Sequence, residues 1–123
     1  MAPMIRTLLL AGLGGAVGSS LRVAVGLALP FPWGTFAVNV GGSFAIGLLA
    51  VPLLTGEGGP HPLAPLLIAG VLGGFTTFSA FSLDTLRLVE AGRLGSALLY
   101  VAASVVLSLG AGALGLALGR AVA

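Results

Sequence analysis

Hydroxyl, amide and aromatic side chains interrupt the long apolar runs of this chain, and the densest group runs from Gly70 to Asp84. Its sequence, GVLGGFTTFSAFSLD, places paired glycines before two threonines and spaces three phenylalanines among them. Paired glycines destabilise a helix, and Thr and Ser hydroxyls can bond backbone carbonyls. At membrane depth, broken backbone is tolerated only where protein buries it or where it lines a watery cavity. The segment therefore predicts a broken membrane helix that forms a candidate ion or substrate site.

A hydroxyl stripe and an amide lie in two other apolar segments. Tyr100, Ser104 and Ser108 recur at every fourth position, which on a helix gives one stripe about 12 Å long. One membrane serine can bond back to its own helix, but three hydroxyls in line indicate a polar track along a permeation route. Asn39, with Thr35 one turn before it, has two possible roles: its amide bonds another helix, or it presents N–H donors to a ligand.

The charged residues favour an anion over a proton as the ligand. Glu57 and Glu90 fall in predicted loops and Asp84 lies near the end of the third apolar segment, whereas proton-coupled transport relies on an acid inside the membrane. Arg22 lies about two turns before Pro30, so its guanidinium either snorkels to the interface or draws anions toward a pore mouth. Because phenyl edges carry the positive end of the ring quadrupole, phenyl edges with hydroxyls and an amide favour a small anion.

The sequence shows no arrangement of residues that would support catalysis. It contains no Ser/His/Asp set, no metal cluster and no phosphate-binding glycine loop, and His61 stands alone between prolines. Cysteine is absent, which excludes disulfides and cysteine metal sites. The five arginines form no cluster suited to nucleic acid. We therefore expect neither an enzyme nor a nucleic-acid partner.

The composition indicates a membrane protein that resides in the lipid bilayer. Of 123 residues, 58% are hydrophobic and 7% are charged, whereas a soluble domain has about 25% charged residues. The basic start and the apolar run after it faintly resemble a secretory signal. That run continues to Leu29 without an A-x-A cleavage site, so we interpret it as the first transmembrane helix.

Four apolar segments have the length of about 20 residues that a spanning helix needs. The predicted fold is all-α, a single integral membrane domain over residues 1–123 with four transmembrane helices, the third broken near its middle. Its 21 glycines include pairs at the four-residue spacing that lets helices approach closely. The segments are Thr7 to Leu29, Gly34 to Leu54, Leu63 to Leu86, and Leu94 to Leu118; the pairs are Gly14 with Gly18, Gly70 with Gly74, and Gly115 with Gly119.

Arginines are balanced between the two sides of this predicted domain. Arg6 and Arg120 lie on the side of the termini, and Arg87 and Arg93 lie on the other side, joined by Arg22 if it snorkels that way. Orientation in the membrane is set by the bias of Lys and Arg between the sides, and here there is almost none. We therefore expect the chain to insert in both orientations. An antiparallel homodimer is then the natural closed assembly, because two-fold pairs are the commonest symmetry.

Three motifs resemble the Fluc fluoride channel family, whose members are also called CrcB proteins. They are GGAVGSSLR in the first segment, GTFAVNVGGSFAIG in the second and GVLGGFTTFSAFS in the third. The resemblance covers nearly the whole chain. It implies passive export of fluoride through the plasma (inner) membrane, by an antiparallel dual-topology homodimer with two pores and a central structural sodium ion.

The resemblance also implies roles for individual residues. The backbone carbonyls of Gly73 and Thr76 would hold the sodium ion. The pores would be lined by the phenylalanines and the polar residues already singled out, with Thr77 beside them. This predicted pore set is Arg22, Thr35, Asn39, Thr77, Phe78, Phe81, Tyr100, Ser104 and Ser108.

Two residues depart from the family motif. Ala80 stands where members usually have Thr, which removes a hydroxyl from the pore, and Asp84 stands where members often have Glu. The sequence leaves two rival functions open. A small multidrug transporter also has four spans, although it needs an acid in the membrane that this chain lacks. A non-transporting assembly subunit would use its glycines only for helix packing.

The balanced arginines predict that the C-terminus lies on both sides of one membrane. A C-terminal tag should be about equally accessible to an impermeant reagent from either face, because neither orientation is favoured by charge. Labelling intact and opened cells or vesicles measures the two populations. A tag reached from one face only would contradict dual topology.

Overall fold

The computed structural model describes residues 1–123 and contains helices as its only regular elements. Four helical spans are long and apolar enough to cross a membrane, which confirms the predicted number. The first and fourth spans extend further than predicted, because helical hydrogen bonding continues through the short ends that carry Arg6 and Arg120. The third begins at Pro65 and ends at Glu90, so the prediction that Glu90 lies in a loop was wrong. The first to fourth spans are Ala2–Ala28, Trp33–Leu54, Pro65–Glu90 and Leu94–Val122.

The third span is nearly continuous and departs from helical geometry at two residues. It begins as a π-helix, Pro65–Leu72, continues as the α-helical turn Gly73–Phe75, and resumes as the α-helix Phe78–Glu90. Between them Thr76 has φ −81° and ψ 155°, and Thr77 has φ −154° and ψ 118°, both extended. The break predicted near the middle of this span is therefore confined to Thr76 and Thr77.

A tight reversal joins the third and fourth spans. Gly92 has φ 76°, a left-handed conformation that glycine adopts without steric cost. Its N–H donates to the Val89 carbonyl at 3.0 Å, and the Arg93 N–H donates to the Leu88 carbonyl at 2.9 Å. This paired arrangement is a Schellman motif, which satisfies the last carbonyls of a helix and ends it.

Glycines bring the first span against the third. A Cβ atom built on Gly70 would lie 2.7 Å from the Cα atom of Gly14, and one built on Gly18 would overlap the carbonyl oxygen of Val71. A Cβ atom on Gly74 would lie 2.8 Å from the Gly15 carbonyl oxygen. The two backbones are therefore in direct contact, as the four-residue spacing of these glycines predicts.

A second glycine contact holds the second span against the fourth. Cβ atoms on Gly47 and Gly115 would overlap the carbonyl oxygens of Gly112 and Phe44, respectively. A Cβ atom on Gly119 would lie 2.7 Å from the Leu48 carbonyl oxygen. The fold thus consists of two close helix pairs, the first with the third span and the second with the fourth.

Most of the apolar surface of the chain faces outward. Only 18 of 123 residues are buried, and the exposed side chains include many Leu, Val and Phe residues along all four spans. Within the membrane these side chains meet lipid or another protein chain. The fold is held by close backbone contact between helices and not by a large central core.

We predict that Gly14→Ala destabilises the protein and that Gly12→Ala does not. The added methyl group at Gly14 would overlap the backbone of the third span, and overpacking of this kind costs about 1–3 kcal/mol. At Gly12, two residues away on the same helix, nothing lies within 4 Å of the added atom. Thermal unfolding of the purified protein in detergent measures both effects. Equal melting temperatures for the two variants would show that the contact at Gly14 is not tight.

Candidate functional site

A groove of about 370 Å³ lies where the second, third and fourth spans meet. Six residues of the predicted pore set line it, together with four others, so the structure brings most of that set together. Its lining contains no acidic or basic side chain. The six are Asn39, Thr77, Phe78, Phe81, Ser104 and Ser108; the others are Ser43, Thr76, Val105 and Leu109.

The Asn39 amide replaces the hydrogen bonds that the extended residues have lost. Asn39 Nδ2 donates to the Thr77 carbonyl at 2.9 Å, and the Thr77 N–H donates to Asn39 Oδ1 at 2.7 Å. Both backbone groups of Thr77 are therefore paired with one side chain of the second span. One of the two N–H bonds of the amide is used here, which leaves the other for a ligand.

The break also diverts the donors of two backbone carbonyls. In a regular helix the N–H of Thr77 would bond the carbonyl of Gly73, but it bonds Asn39. Likewise the N–H of Ala80 bonds Thr77 Oγ1 at 3.1 Å and not the carbonyl of Thr76. The carbonyls of Gly73 and Thr76 thus lose their usual helical donors.

Arg22 lies outside the groove and contacts the break from its other side. Its Nε donates to the Gly74 carbonyl at 3.0 Å, and the side chain is half-buried. Arg22 therefore ties the first span to the turn before Thr76. Its proposed attraction for anions stays a prediction.

The phenylalanines form an aromatic row that continues into Tyr100. The ring centroids of Phe78 and Phe81 lie 5.5 Å apart with the planes inclined at 60°, an edge arrangement. Phe81 is 8% exposed and lies 5.2 Å from the Tyr100 ring, whereas Phe78 is 78% exposed. The row therefore runs from a buried ring to a ring at the open side of the groove.

Ser104 and Ser108 have buried hydroxyls without a hydrogen-bond partner. Several other hydroxyls of the chain do not stay free in this way, because each donates to the carbonyl four residues before it. The two serines therefore keep donors free in the groove, as a polar track requires. The hydroxyls that bond back are those of Thr7, Ser20, Thr55, Thr76, Ser82 and Thr85.

Tyr100, the third member of the hydroxyl stripe, lies beyond Phe81 and does not line the groove. Its hydroxyl donates to Asp84 Oδ2 at 3.3 Å, and Asp84 is only 8% exposed. The structure places Asp84 near the end of the third span, as expected, and buries its carboxylate. Thr35 is half-buried on the second span, one turn before Asn39, and is also outside the groove.

Comparisons with known proteins identify the family of this chain. Residues 9–116 match the family model described as CrcB-like protein, Camphor Resistance (CrcB). The chain belongs to the CrcB family. A relative named fluoride-specific ion channel FluC, from Paracoccus denitrificans, is 53% identical over 122 residues, which cover 95% of this chain and 97% of the relative. One of the same name from Rhizobium meliloti is 52% identical over 121 residues, covering 94% and 97%.

The CrcB match contains every residue of the groove. It also confirms the family resemblance of the three sequence motifs, and with the four spans it identifies a multi-pass membrane protein. The relatives are named as ion channels and not as enzymes, which agrees with the expectation for this chain.

Sequence reasoning missed part of the groove of this CrcB protein. Ser43 lies four residues after Asn39, so helical spacing from the amide would have found it. Val105 and Leu109 each follow a predicted serine by one residue and have no polar signal. Apolar side chains in a membrane helix look alike in sequence whether they face lipid or a groove.

We predict that Asn39→Ala destabilises the fold and that Ser43→Ala does not. The first change leaves the N–H and the carbonyl of Thr77 without partners, and each unpaired buried group costs about 1–3 kcal/mol. Ser43 lines the same groove, but both backbone groups of Thr77 are already bonded to Asn39. The comparison is made by thermal unfolding in detergent. If Asn39→Ala melts at the wild-type temperature, the amide does not hold the break.

Proposed function

We propose that this CrcB protein is a fluoride channel that works as an antiparallel, dual-topology homodimer with two pores and a central sodium ion. The observation that carries the proposal is the pair of unbonded hydroxyls, Ser104 and Ser108, in a groove that has no acidic residue. The names of the relatives, which call them fluoride-specific, support the choice of ion.

The groove offers donors that suit a small, strongly hydrated anion. The two serine hydroxyls and the second N–H of Asn39 can replace water in the shell of the ion. Edges of Phe78 and Phe81 add the positive side of the ring quadrupole without a full charge. Such sites bind an ion strongly enough to admit it and weakly enough to release it. Fluoride would pass along the serine track between these groups.

A second subunit is needed to enclose this path. The groove opens at the surface of the protomer, where Phe78, Val105 and Leu109 are 78%, 45% and 71% exposed. A two-fold partner placed over this face would close one groove on each subunit, which gives two pores in one dimer. Antiparallel pairing follows from the balanced arginines, since each orientation of the chain is then present in the same membrane.

The break supplies a fitting site for the sodium ion. The carbonyls of Gly73 and Thr76 lack their helical donors, and carbonyl oxygens from unwound backbone are established ligands for alkali cations. No cluster of His, Cys, Asp or Glu competes as a metal site. With one break from each subunit, four carbonyls could surround one ion on the dimer axis. The bound ion would supply a fixed positive charge that joins the two subunits.

Passive conduction explains how such a protein would remove fluoride. Hydrogen fluoride crosses a membrane uncharged and dissociates in a more neutral cytoplasm, where the anion is trapped. A channel in the plasma membrane would let the anion leave down its gradient, with no need for the membrane-embedded acid that a proton-coupled carrier uses. Arg22 would increase the local anion concentration near the path.

The proposal predicts fluoride efflux from liposomes that depends on the serine track. Purified protein in fluoride-loaded liposomes should release fluoride rapidly without a proton gradient, as measured with a fluoride electrode. Ser104→Ala combined with Ser108→Ala should slow the release at least about tenfold. Hydrogen bonds to a charged group contribute about 1.5–3 kcal/mol, and about 1.4 kcal/mol corresponds to a tenfold change in rate.

Ser82→Ala is the matched control, because the Ser82 hydroxyl already donates to the Phe78 carbonyl. Its efflux should equal that of the wild type. No efflux from wild-type protein would favour an assembly subunit, and efflux that needs a proton gradient would favour a coupled transporter. Either result would contradict the channel proposal. Unchanged efflux in the double serine variant would show that fluoride does not pass along the two serines.

A further inference from the structure

A second cavity, of about 230 Å³, lies at the end of the protomer where the first and third spans begin. It is separate from the groove and shares no residue with it. Four of the seven prolines of the chain line this cavity, and its polar side chains are Arg6, Thr7 and His61. Proline has no N–H group, so the donors in the cavity come mainly from the side chains.

The side chains of the cavity are arranged to bind an anion. His61 Nδ1 accepts the Leu63 N–H at 3.1 Å, so the neutral ring must carry its proton on Nε2, as a donor. Arg6 adds a guanidinium, which carries five N–H donors and no acceptor. None of the three acidic residues lines the cavity. Asp84 and Glu90 lie on the second half of the third span, and Glu57 is elsewhere in the same loop as His61.

Hydrogen bonds fix the part of the cavity wall that carries His61. The His61 N–H donates to the Leu53 carbonyl at 2.8 Å, and the His61 carbonyl accepts the Ala64 N–H at 2.9 Å. These two bonds and the ring contact hold the loop on both sides of His61. A donor held in this way loses little conformational freedom when it binds, which increases affinity.

The position of the cavity also favours negative charge. Two long helical spans begin beside it, and the N-terminal end of a helix carries partial positive charge. Leu8 and Leu9, two and three residues after Arg6, are outward-facing apolar side chains that meet lipid, so the cavity lies at the boundary between hydrocarbon and water. That is the depth at which phospholipid phosphates lie.

We propose that this cavity binds a phosphate group at the membrane surface, supplied by the headgroup of an anionic phospholipid. Guanidinium groups match the oxygens of phosphate in a two-pronged geometry, and the Nε2–H of His61 would bond a further oxygen. The acyl chains would lie along the exposed apolar face of the first span. This site is independent of the conducted ion, so it stands or falls separately from the channel proposal.

The only histidine of the chain gives a direct measurement. Full-length protein in an uncharged detergent is titrated with phosphatidylglycerol, and the ring resonances of His61 are followed by NMR at fixed pH. We expect a saturable shift with phosphatidylglycerol and no shift with diacylglycerol, which has the same chains without phosphate. Inorganic phosphate is the third titrant. If inorganic phosphate gives the shift at the same concentration, the cavity is a phosphate site, but its ligand is soluble phosphate and not a lipid headgroup.

Arg6→Gln and Arg120→Gln form a matched pair of variants at the same end of the protein. Arg6→Gln should weaken the binding of phosphatidylglycerol at least about tenfold, because it removes a charge-assisted contact, and Arg120→Gln should not. Both variants should unfold at the wild-type temperature in detergent, which shows that they are folded. Equal binding by the two variants, an equal shift with diacylglycerol, or no shift with any titrant would overturn the proposal.

Discussion

A backbone amide or carbonyl without a partner costs several kcal/mol at membrane depth, and this constraint acts on the two extended residues of the third span. The carboxamide of Asn39 meets it by bonding both the N–H and the carbonyl of Thr77. Thr77 in turn begins the next helix, because its hydroxyl accepts the N–H of Ala80. One amide on the second span thus pairs both backbone groups of Thr77, and the carbonyls of Gly73 and Thr76 are left without their helical donors.

Close packing by glycines decides where the break can be held. The Gly14 and Gly18 contacts bring the first span against the backbone of the third, and Arg22, one turn after Gly18, then reaches the Gly74 carbonyl. The break is therefore bonded from the first span on one side and from the second on the other. The groove lies beside the break, where the second and fourth spans meet the third, and Asn39, Ser43, Ser104 and Ser108 are the polar side chains that these two spans contribute to it.

The sequence predicted the number of spans and the position of the break because each has a strong local signal. Apolar length reports what lipid tolerates, and the paired glycines and threonines report a weak point in a helix. Contacts between helices were harder to predict from the sequence, because they depend on how each helix is rotated about its axis. The bond from Arg22 to Gly74, the burial of Asp84 against Tyr100 and the place of Ser43 in the groove all depend on that rotation. Ends of helices were also misplaced, because a helix can continue past an arginine such as Arg6 or Arg120, where hydropathy alone would end it.

The missing hydrogen bonds of Ser104 and Ser108 indicate a ligand more strongly than the spacing of these serines in the sequence does. A buried hydroxyl without a partner costs about 1–3 kcal/mol, and a helical serine can avoid this cost by bonding the carbonyl four residues before it, as Ser82 does. Ser104 and Ser108 do not take that bond, although it is open to them on the same kind of helix. A donor kept free at such a cost is expected where a ligand satisfies it. The break has the opposite character, since its unpaired groups are carbonyl oxygens. The donors of the proposed anion path and the acceptors of the proposed cation site therefore lie on different elements of the chain, and the groove itself has no charged side chain.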